Sequence, residues 1–128
     1  MDVYVAVDTM SGDHGPAPAV DGAVQAVHEY NARVILVGDP EILERQLAGY
    51  SFDRDMILIE PARGVIGMDE SPSRAVKDRP DASVVVCADL VRRKEAIGFF
   101  SPGNTGATMA AALFKMGRIR GVSRPAIA

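Results

Sequence analysis

Short apolar runs alternate along this chain with longer segments in which apolar residues recur every three or four positions. The short runs are rich in β-branched residues, as in strands that are buried on both faces of a parallel sheet. They predict strands at residues 3–7, 33–37, 56–59 and 97–100. Strands that alternate with helices predict a parallel sheet with right-handed crossovers, and therefore an α/β layer fold.

The longer segments predict helices whose ends can be recognised. Pro16 can occupy the first turn of one helix, because a proline at that position removes no N–H that the helix needs. Asp39 and Pro40 supply an N-cap and a first-turn proline for a second, short helix, and Gly117 is placed to end the last one. The apolar faces that the spacing predicts are Val20, Ala23, Val24 and Val27 in the first helix, and Met109, Ala112, Leu113 and Met116 in the last.

The middle and the end of the chain carry weaker patterns. Residues 60–80 contain three prolines and several charged clusters, which predicts an irregular stretch. In residues 82–94 three consecutive valines favour a strand, but the length of the segment and its helical spacing favour a helix, which is our prediction. Residues 125–128 read as the start of another strand, so we expect the chain to be part of a longer fold.

The composition is that of an ordinary globular protein. A chain of 128 residues has room for one compact domain, and we predict a single α/β domain over residues 1–128. Only 5% of the residues are aromatic and none is tryptophan, so the core must be built mainly from Val, Ile, Leu, Ala and Met. The formal net charge of −3 argues against a nucleic-acid partner, because such partners normally bind a basic surface.

Cysteine usage and the N-terminus indicate the compartment. The one cysteine, Cys87, lies in an apolar run, which predicts a buried side chain rather than a nucleophile. A single cysteine cannot form an intramolecular disulfide and fits a reducing environment. The N-terminus lacks the basic segment that begins a signal peptide, and no stretch approaches the roughly 20 apolar residues of a membrane span. These features predict a cytoplasmic protein.

One candidate binding loop follows the last predicted strand. Gly103 and Gly106 would allow a ligand to approach the main chain, and the next helix would direct its free N–H groups at that ligand. Ser101 and Thr105 add hydroxyl groups, and Asn104 adds an amide. The loop suits a phosphate group, although it lacks the Gly-Lys-Ser/Thr ending of a P-loop. A helix cap with turn glycines explains the same residues, and the residues alone leave both readings open.

A second candidate loop follows the first predicted strand. Asp8, Asp13 and His14 lie within seven residues, a combination that suggests metal binding or acid–base chemistry. No second cluster of Asp, Glu or His supplies further ligands, so we predict no metal. Capping and turn formation are an alternative role for the two aspartates.

Four sequence blocks, in this order and spacing, resemble those of the phosphate acyltransferase family of bacterial phospholipid synthesis. Residues 7–16 are similar to that family's Asp-Ala-Met-Gly-Gly-Asp opening and its glycine–proline turn, with Ser11 in place of a glycine. The blocks are VDTMSGDHGP at 7–16, VIGMDESP at 65–72, SPGNTGATMAAALF at 101–114 and GRIRGVSRPAIA at 117–128. A further family segment, usually Lys-Lys-Asp-Ser-Ser, keeps only Asp81 and Ser83 here.

The resemblance implies a three-layer α/β/α fold with a mostly parallel sheet, related to isocitrate dehydrogenase and phosphotransacetylase. Members of that family are longer, so these residues would form only its N-terminal part. The implied reaction transfers a fatty acyl group from acyl carrier protein to inorganic phosphate and yields an acyl phosphate, without a metal or other cofactor. The implied enzyme is a homodimer. Its implied role in phospholipid synthesis is compatible with a peripheral association with the membrane.

The resemblance also directs attention to particular side chains. It brings both candidate loops to the site, with Asn104, Asp8 and His14 as candidates for catalysis. The candidates for binding phosphate or substrate are Ser101, Gly103, Asn104, Thr105, Gly106 and Asp13. Two alternatives remain open at this point. One is a phosphotransacetylase-like enzyme that uses acyl-coenzyme A, and the other is a truncated remnant that binds phosphate or dimerises without turnover.

Overall fold

The computed structural model describes residues 3–124 and residue 126. A parallel sheet of four strands has the order β3-β2-β1-β4. The strands are β1 Tyr4–Asp8, β2 Arg33–Gly38, β3 Ile57–Pro61 and β4 Gly98–Phe100. The helices are α1 Ala17–Tyr30, α2 Pro40–Leu47, α3 Pro72–Asp78, α4 Ser83–Arg92 and α5 Thr105–Met116. The four predicted strands and the α/β class are confirmed.

The helices form two layers, one on each face of the sheet. Alternate residues of β2 face opposite layers, so Val34 and Leu36 contact α1 and α2, whereas Ile35 and Val37 lie under α4. The other layer consists of α3, α4 and α5, which share an apolar cluster of their own. This is the three-layer α/β/α arrangement that the family resemblance implies.

Local sequence signals account for the ends and the buried face of the first two helices. The predicted face of α1 is confirmed, since all four of its residues are buried. Asn31 ends α1 in the left-handed conformation, with φ 55°. The carboxylate of Asp39 accepts the N–H groups of Glu41 and Ile42, so Asp39 is the predicted N-cap of α2.

The middle of the chain differs from its prediction in one respect. The prediction of an irregular stretch over residues 60–80 is wrong for Pro72–Asp78, which form α3. That helix is seven residues long and buries only Ala75 and Val76, too few positions to show a helical period. The helix prediction for residues 82–94 is confirmed by α4. Helix α4 is buried on two sides, against the sheet and against α3 and α5. Its apolar residues therefore include consecutive valines, which resemble a strand in the sequence.

The last helix buries a different face from the one that the spacing predicted. Ala107, Ala110 and Ala111 are the buried residues of α5, whereas Met109 and Leu113 are half-buried and Met116 is exposed. Alanines allow α5 to approach α4 closely and leave the larger apolar side chains at the surface. Gly117 ends the helix with φ 79°, as predicted. The strand expected at residues 125–128 lies outside the described residues, except for Ala126.

Candidate functional site

The two candidate loops meet at the edge of the sheet where its parallel strands end. Strands β1 and β4 are neighbours, but β1 continues into α1 on one face and β4 continues into α5 on the other. The connections therefore diverge between these two strands. In open α/β sheets such a divergence opens a crevice, and ligands commonly bind there.

Asp8, at the end of β1, joins the two loops through its buried carboxylate. Its Oδ2 accepts hydrogen bonds from the hydroxyl of Ser11 at 2.6 Å and from that of Ser101 at 2.8 Å. Its Oδ1 accepts the N–H groups of Met10 and Ser11 at 3.0 and 3.2 Å. Four donors satisfy the charge and set the orientation of the carboxylate. The geometry makes Asp8 an organiser of the two loops.

Glycines allow the same two loops to pack tightly against each other. A Cβ atom on Gly103 would lie 2.6 Å from the Cβ of Ser11, closer than real carbon atoms approach. Gly12 has φ 95°, and its Cα faces the ring of Pro102. The Gly103 N–H donates to the Ser101 hydroxyl at 3.3 Å. The space beside Gly103 is thus filled by the other loop.

Asn104 is buried and makes its hydrogen bonds to the main chain. Its Oδ1 accepts the Ala107 N–H at 3.1 Å, which caps the N-terminus of α5. Its Nδ2 donates to the carbonyl oxygen of Gly67 at 2.9 Å and to that of Met68 at 3.5 Å. The side chain therefore fastens the segment before α3 to the start of α5. The contacts of Asn104 are therefore structural: they hold these two segments together.

Thr105 and Gly106 keep free donors at the first turn of α5. Within the described residues, no acceptor is bonded to the N–H group of either. The Thr105 side chain is exposed. A Cβ atom on Gly106 would lie 2.7 Å from Cγ of Pro72, so the start of α3 packs directly on this turn. Free N–H groups at the positive end of a helix dipole are a feature that often binds anions in proteins.

Asp13 and His14 lie on the other side of the crevice. Both are exposed, and the structure gives neither side chain a hydrogen bond or ion pair among the described residues. They line a cleft of about 250 Å³ together with Phe100 and Pro102. Gly106 instead lines an apolar groove between α3 and α5. The predicted site residues thus lie near the same edge of the sheet, but they do not all line one common pocket.

Arg79 holds a segment that the sequence analysis did not connect with the site. Its guanidinium pairs with the carboxylate of Glu70 and donates to the carbonyl oxygen of Val65 at 3.0 Å. The hydrogen bond from Arg79, together with one from the Gly67 N–H, lowers the pKa of Glu70. Arg79 and Asn104 therefore fix the chain between β3 and α3 from two sides. The VIGMDESP block at 65–72 was the only sequence signal for this segment.

Two further buried groups lie near the sheet. Cys87 is buried, as predicted, and burial raises the pKa of its thiol, with a smaller contribution from the nearby charge of Asp8. The hydroxyl of Ser83 is buried without a hydrogen-bond partner among the described residues.

In residues 3–124 and 126, no three His, Cys, Asp or Glu side chains are grouped so that they could hold a metal ion.

The fold and the position of the crevice define an open, three-layer α/β protein whose candidate ligand site lies where β1 and β4 end. The chain belongs to the family described as fatty acid synthesis protein, whose sequence model matches residues 3–128. In the part of the chain that the structure covers, no helix is long and apolar enough to cross a membrane.

Curated relatives of this chain are named phosphate acyltransferase. The protein of Leptospira biflexa serovar Patoc is 52% identical over 126 residues, which are 98% of this chain and 37% of that protein. That of Elusimicrobium minutum is 50% identical over 96% of this chain and 36% of its own length. That of Clostridioides difficile is 38% identical over 96% and 36%. The chain therefore spans little more than a third of the length of these relatives and matches their N-terminal part.

Proposed function

We propose that this chain carries the N-terminal part of an acyltransferase of phospholipid synthesis, which moves a fatty acyl group from acyl carrier protein to inorganic phosphate. The names of its relatives support the reaction class. The observation that carries the proposal is the pair of N–H groups on Thr105 and Gly106 at the carboxyl edge of the sheet, which have no acceptor among the described residues. We place the enzyme in the cytoplasm as a homo-oligomer.

The phosphate would bind at the first turn of α5. The helix has twelve residues, so its dipole places partial positive charge at the turn. The N–H groups of Thr105 and Gly106, with the Thr105 hydroxyl, would hold two or three phosphate oxygens. Asn104 and Asp8 would not contact the phosphate, because both side chains are buried. Each would instead hold a loop of the site in position.

The chemistry requires mainly position and electrostatics. A phosphate oxygen attacks the thioester carbonyl carbon, the new C–O bond forms, and the C–S bond breaks. The sulfur leaves as a thiolate. This departure needs little assistance, because the pKa of an ordinary thiol is only about 8.5. His14 is the exposed group that would exchange a proton with that thiolate, and Asp13 lies in the same cleft.

The binding half of the proposal can be tested with a matched pair of variants. Thr105 is the first residue of α5, where proline is tolerated, and Asn104 before it has the extended conformation that a following proline requires. Thr105→Pro therefore removes one N–H and leaves the helix intact. Thr105→Ala keeps the N–H and removes only the hydroxyl.

We expect Thr105→Pro to weaken inorganic phosphate binding about tenfold or more, since hydrogen bonds to charged groups contribute about 1.5–3 kcal/mol. Thr105→Ala should have the smaller effect. Isothermal titration calorimetry with inorganic phosphate measures both. Equal affinity for phosphate in the wild type and Thr105→Pro would place the anion site elsewhere.

The acyl donor can be identified in a separate assay. Hydroxylamine traps acyl phosphate as a hydroxamate, so acyl carrier protein and coenzyme A thioesters can be compared in the presence of inorganic phosphate. We expect product from the acyl carrier protein thioester once the remaining part of the fold is supplied. Product from acyl-coenzyme A alone would favour a phosphotransacetylase-like enzyme.

A further inference from the structure

An apolar groove of about 340 Å³ lies between α3 and α5. Its lining includes Pro72 of α3 and four residues of α5, which are Gly106, Met109, Leu113 and Phe114. The residues from α5 follow one another at spacings of mostly three or four, so they lie along one side of that helix. The groove therefore runs along the helix and not across it.

Two contacts between α3 and α5 define the ends of the groove. At one end, a Cβ atom on Gly106 would lie 2.7 Å from Cγ of Pro72, so the two helices touch there. At the other end, the Lys77 ammonium group lies 5.0 Å from the centre of the Phe114 ring. The helices therefore run side by side in the same direction. From Gly106 to Phe114 the axis of α5 rises about 12 Å, a length that an extended decyl chain also has.

The large apolar side chains of α5 belong to this groove and not to the core. The core is filled by alanines of α5, whereas Met109 and Leu113 are half-buried and Phe114 is 45% exposed. Unbranched methionine adapts its shape to a ligand easily. Apolar side chains that line a concave surface in this way are typical of a site for an apolar ligand.

The groove begins at the turn to which we assign the phosphate. Gly106 lines it, and the Gly106 N–H has no acceptor among the described residues. In acyl transfer to phosphate, the attacking oxygen must come within about 3–3.5 Å of the thioester carbonyl carbon. The hydrocarbon chain must therefore leave by a path that starts beside this turn. The cleft on the other side of the site carries the ionisable side chains of Asp13 and His14, which suit such a chain poorly.

We propose that the groove between α3 and α5 binds the hydrocarbon chain of the acyl donor. The chain would extend from Gly106 past Met109 and Leu113. Phe114, with Lys77 over its ring, would close the far end and limit the length of chain that the groove accepts. This inference rests on the proposed function, because it takes the phosphate turn as the start of the path.

The first test compares inorganic phosphate with octyl phosphate and decyl phosphate, which carry the anion and the chain in one unreactive molecule. Isothermal titration calorimetry measures their binding to the 128-residue chain, below their critical micelle concentrations. We expect decyl phosphate to bind about fourfold or more tightly than octyl phosphate, since one fully buried methylene group contributes about fourfold. Equal affinities for all three probes would overturn the proposal.

Three variants locate the chain. Leu113→Gln places a polar, uncharged group in the wall of the groove, and Leu113→Met keeps the wall apolar. We expect Leu113→Gln to weaken decyl phosphate binding about fivefold or more and Leu113→Met to retain most of the affinity. Met116→Gln, at an exposed position of the same helix outside the groove, is the control. A loss with Leu113→Gln no larger than that with Met116→Gln would refute the proposal.

Thr105→Pro distinguishes a failure of the groove from a failure of the phosphate site. If both assignments are correct, Thr105→Pro weakens all three probes by a similar factor, whereas Leu113→Gln acts mainly on the probes with a chain. An effect of Thr105→Pro without one of Leu113→Gln would reject the groove and keep the phosphate turn. An effect of Leu113→Gln without one of Thr105→Pro would reject the phosphate turn, and with it the start of the proposed path.

Phe114→Ala tests the far end of the groove and does not depend on a loss of binding. The ring is already partly exposed, so its removal leaves the core intact, and circular dichroism verifies this. We expect dodecyl phosphate to bind the wild type about as well as decyl phosphate does, and Phe114→Ala about fourfold better. The same ratio in both proteins would contradict the proposed end. A dimer of the free chain that Leu113→Gln dissociates would also overturn the proposal, because a second copy would then fill the groove.

Discussion

Asp8 and Ser101 are separated by 93 positions in the sequence, yet the Ser101 hydroxyl donates to the Asp8 carboxylate at 2.8 Å. This hydrogen bond connects the end of β1 to the loop that precedes α5. The same carboxylate oxygen also accepts from Ser11. The relative position of the two candidate loops therefore depends on one buried side chain.

Replacement of Asp8 by asparagine should destabilise the chain. The amide nitrogen that takes the place of one carboxylate oxygen is a donor, so it cannot accept from the hydroxyls of Ser11 and Ser101. We expect a loss of about 1–3 kcal/mol in the free energy of unfolding, measured by urea denaturation. Asp13→Asn is the matched control, because Asp13 is exposed, and its effect should stay within about 0.5 kcal/mol. Equal stability of the two variants would contradict the role of Asp8.

Gly103→Ala should be costly for a steric reason. The added Cβ meets the Cβ of Ser11, and overpacking of this kind costs about 1–3 kcal/mol. Ser11→Gly removes the obstructing atom, so the double variant should show a coupling energy of about 0.5 kcal/mol or more in a double-mutant cycle. Additive effects of the two substitutions would show that the loops do not press on each other at this point.

Two substitutions at Asn104 separate its two contacts. Asn104→Asp keeps an oxygen that accepts the Ala107 N–H but loses the donor to Gly67, whereas Asn104→Ala loses both. We expect Asn104→Ala to lower the free energy of unfolding by about 1–2 kcal/mol for the cap, with a further loss for the bond to Gly67. Asn104→Asp should cost less in chemical denaturation. If Asn104→Asp proves as damaging as Asn104→Ala, the cap contributes little.

The thiol of Cys87 should make stability decrease at high pH. Burial raises its pKa in the folded chain, whereas in the unfolded chain the thiol ionises at its ordinary value. Above that ordinary value the unfolded state loses a proton that the folded state keeps, so the free energy of unfolding decreases as pH rises. The slope should approach about 1.4 kcal/mol per pH unit above roughly pH 9.

Urea denaturation between pH 7 and pH 10 measures this slope, and Cys87→Ala is the control without the thiol. The thiol should also resist alkylation in the folded chain and react after unfolding. Parallel pH profiles of the wild type and Cys87→Ala would contradict the prediction.

What the sequence could predict here was local. The buried face of α1 and the N-cap at Asp39 follow from residues within one helix, and both are confirmed. The face of α5 could not be predicted, because the close approach of α4 favours alanines over Met109 and Leu113. The hydrogen bond between Asp8 and Ser101 depends on the pairing of β1 with β4, which spacing along the chain does not reveal.

The glycines of the candidate site illustrate the same limit. Composition and position correctly indicate where the main chain needs room. They do not indicate what occupies that room, which is Ser11 beside Gly103 and Pro72 beside Gly106. A side chain contributed by a distant segment explains such a glycine as well as a ligand does, and only the folded chain distinguishes them.

The pairing of β1 with β4 also sets the order of events during synthesis. Strand β1 finds its first neighbour in β2, but its second neighbour begins only at Gly98. At about 5–20 residues per second, a ribosome needs several seconds to make the intervening chain. Throughout that interval one side of β1 remains open beside the emerging polypeptide. Chaperones and aggregation would compete for the nascent chain in this period, before β4 arrives.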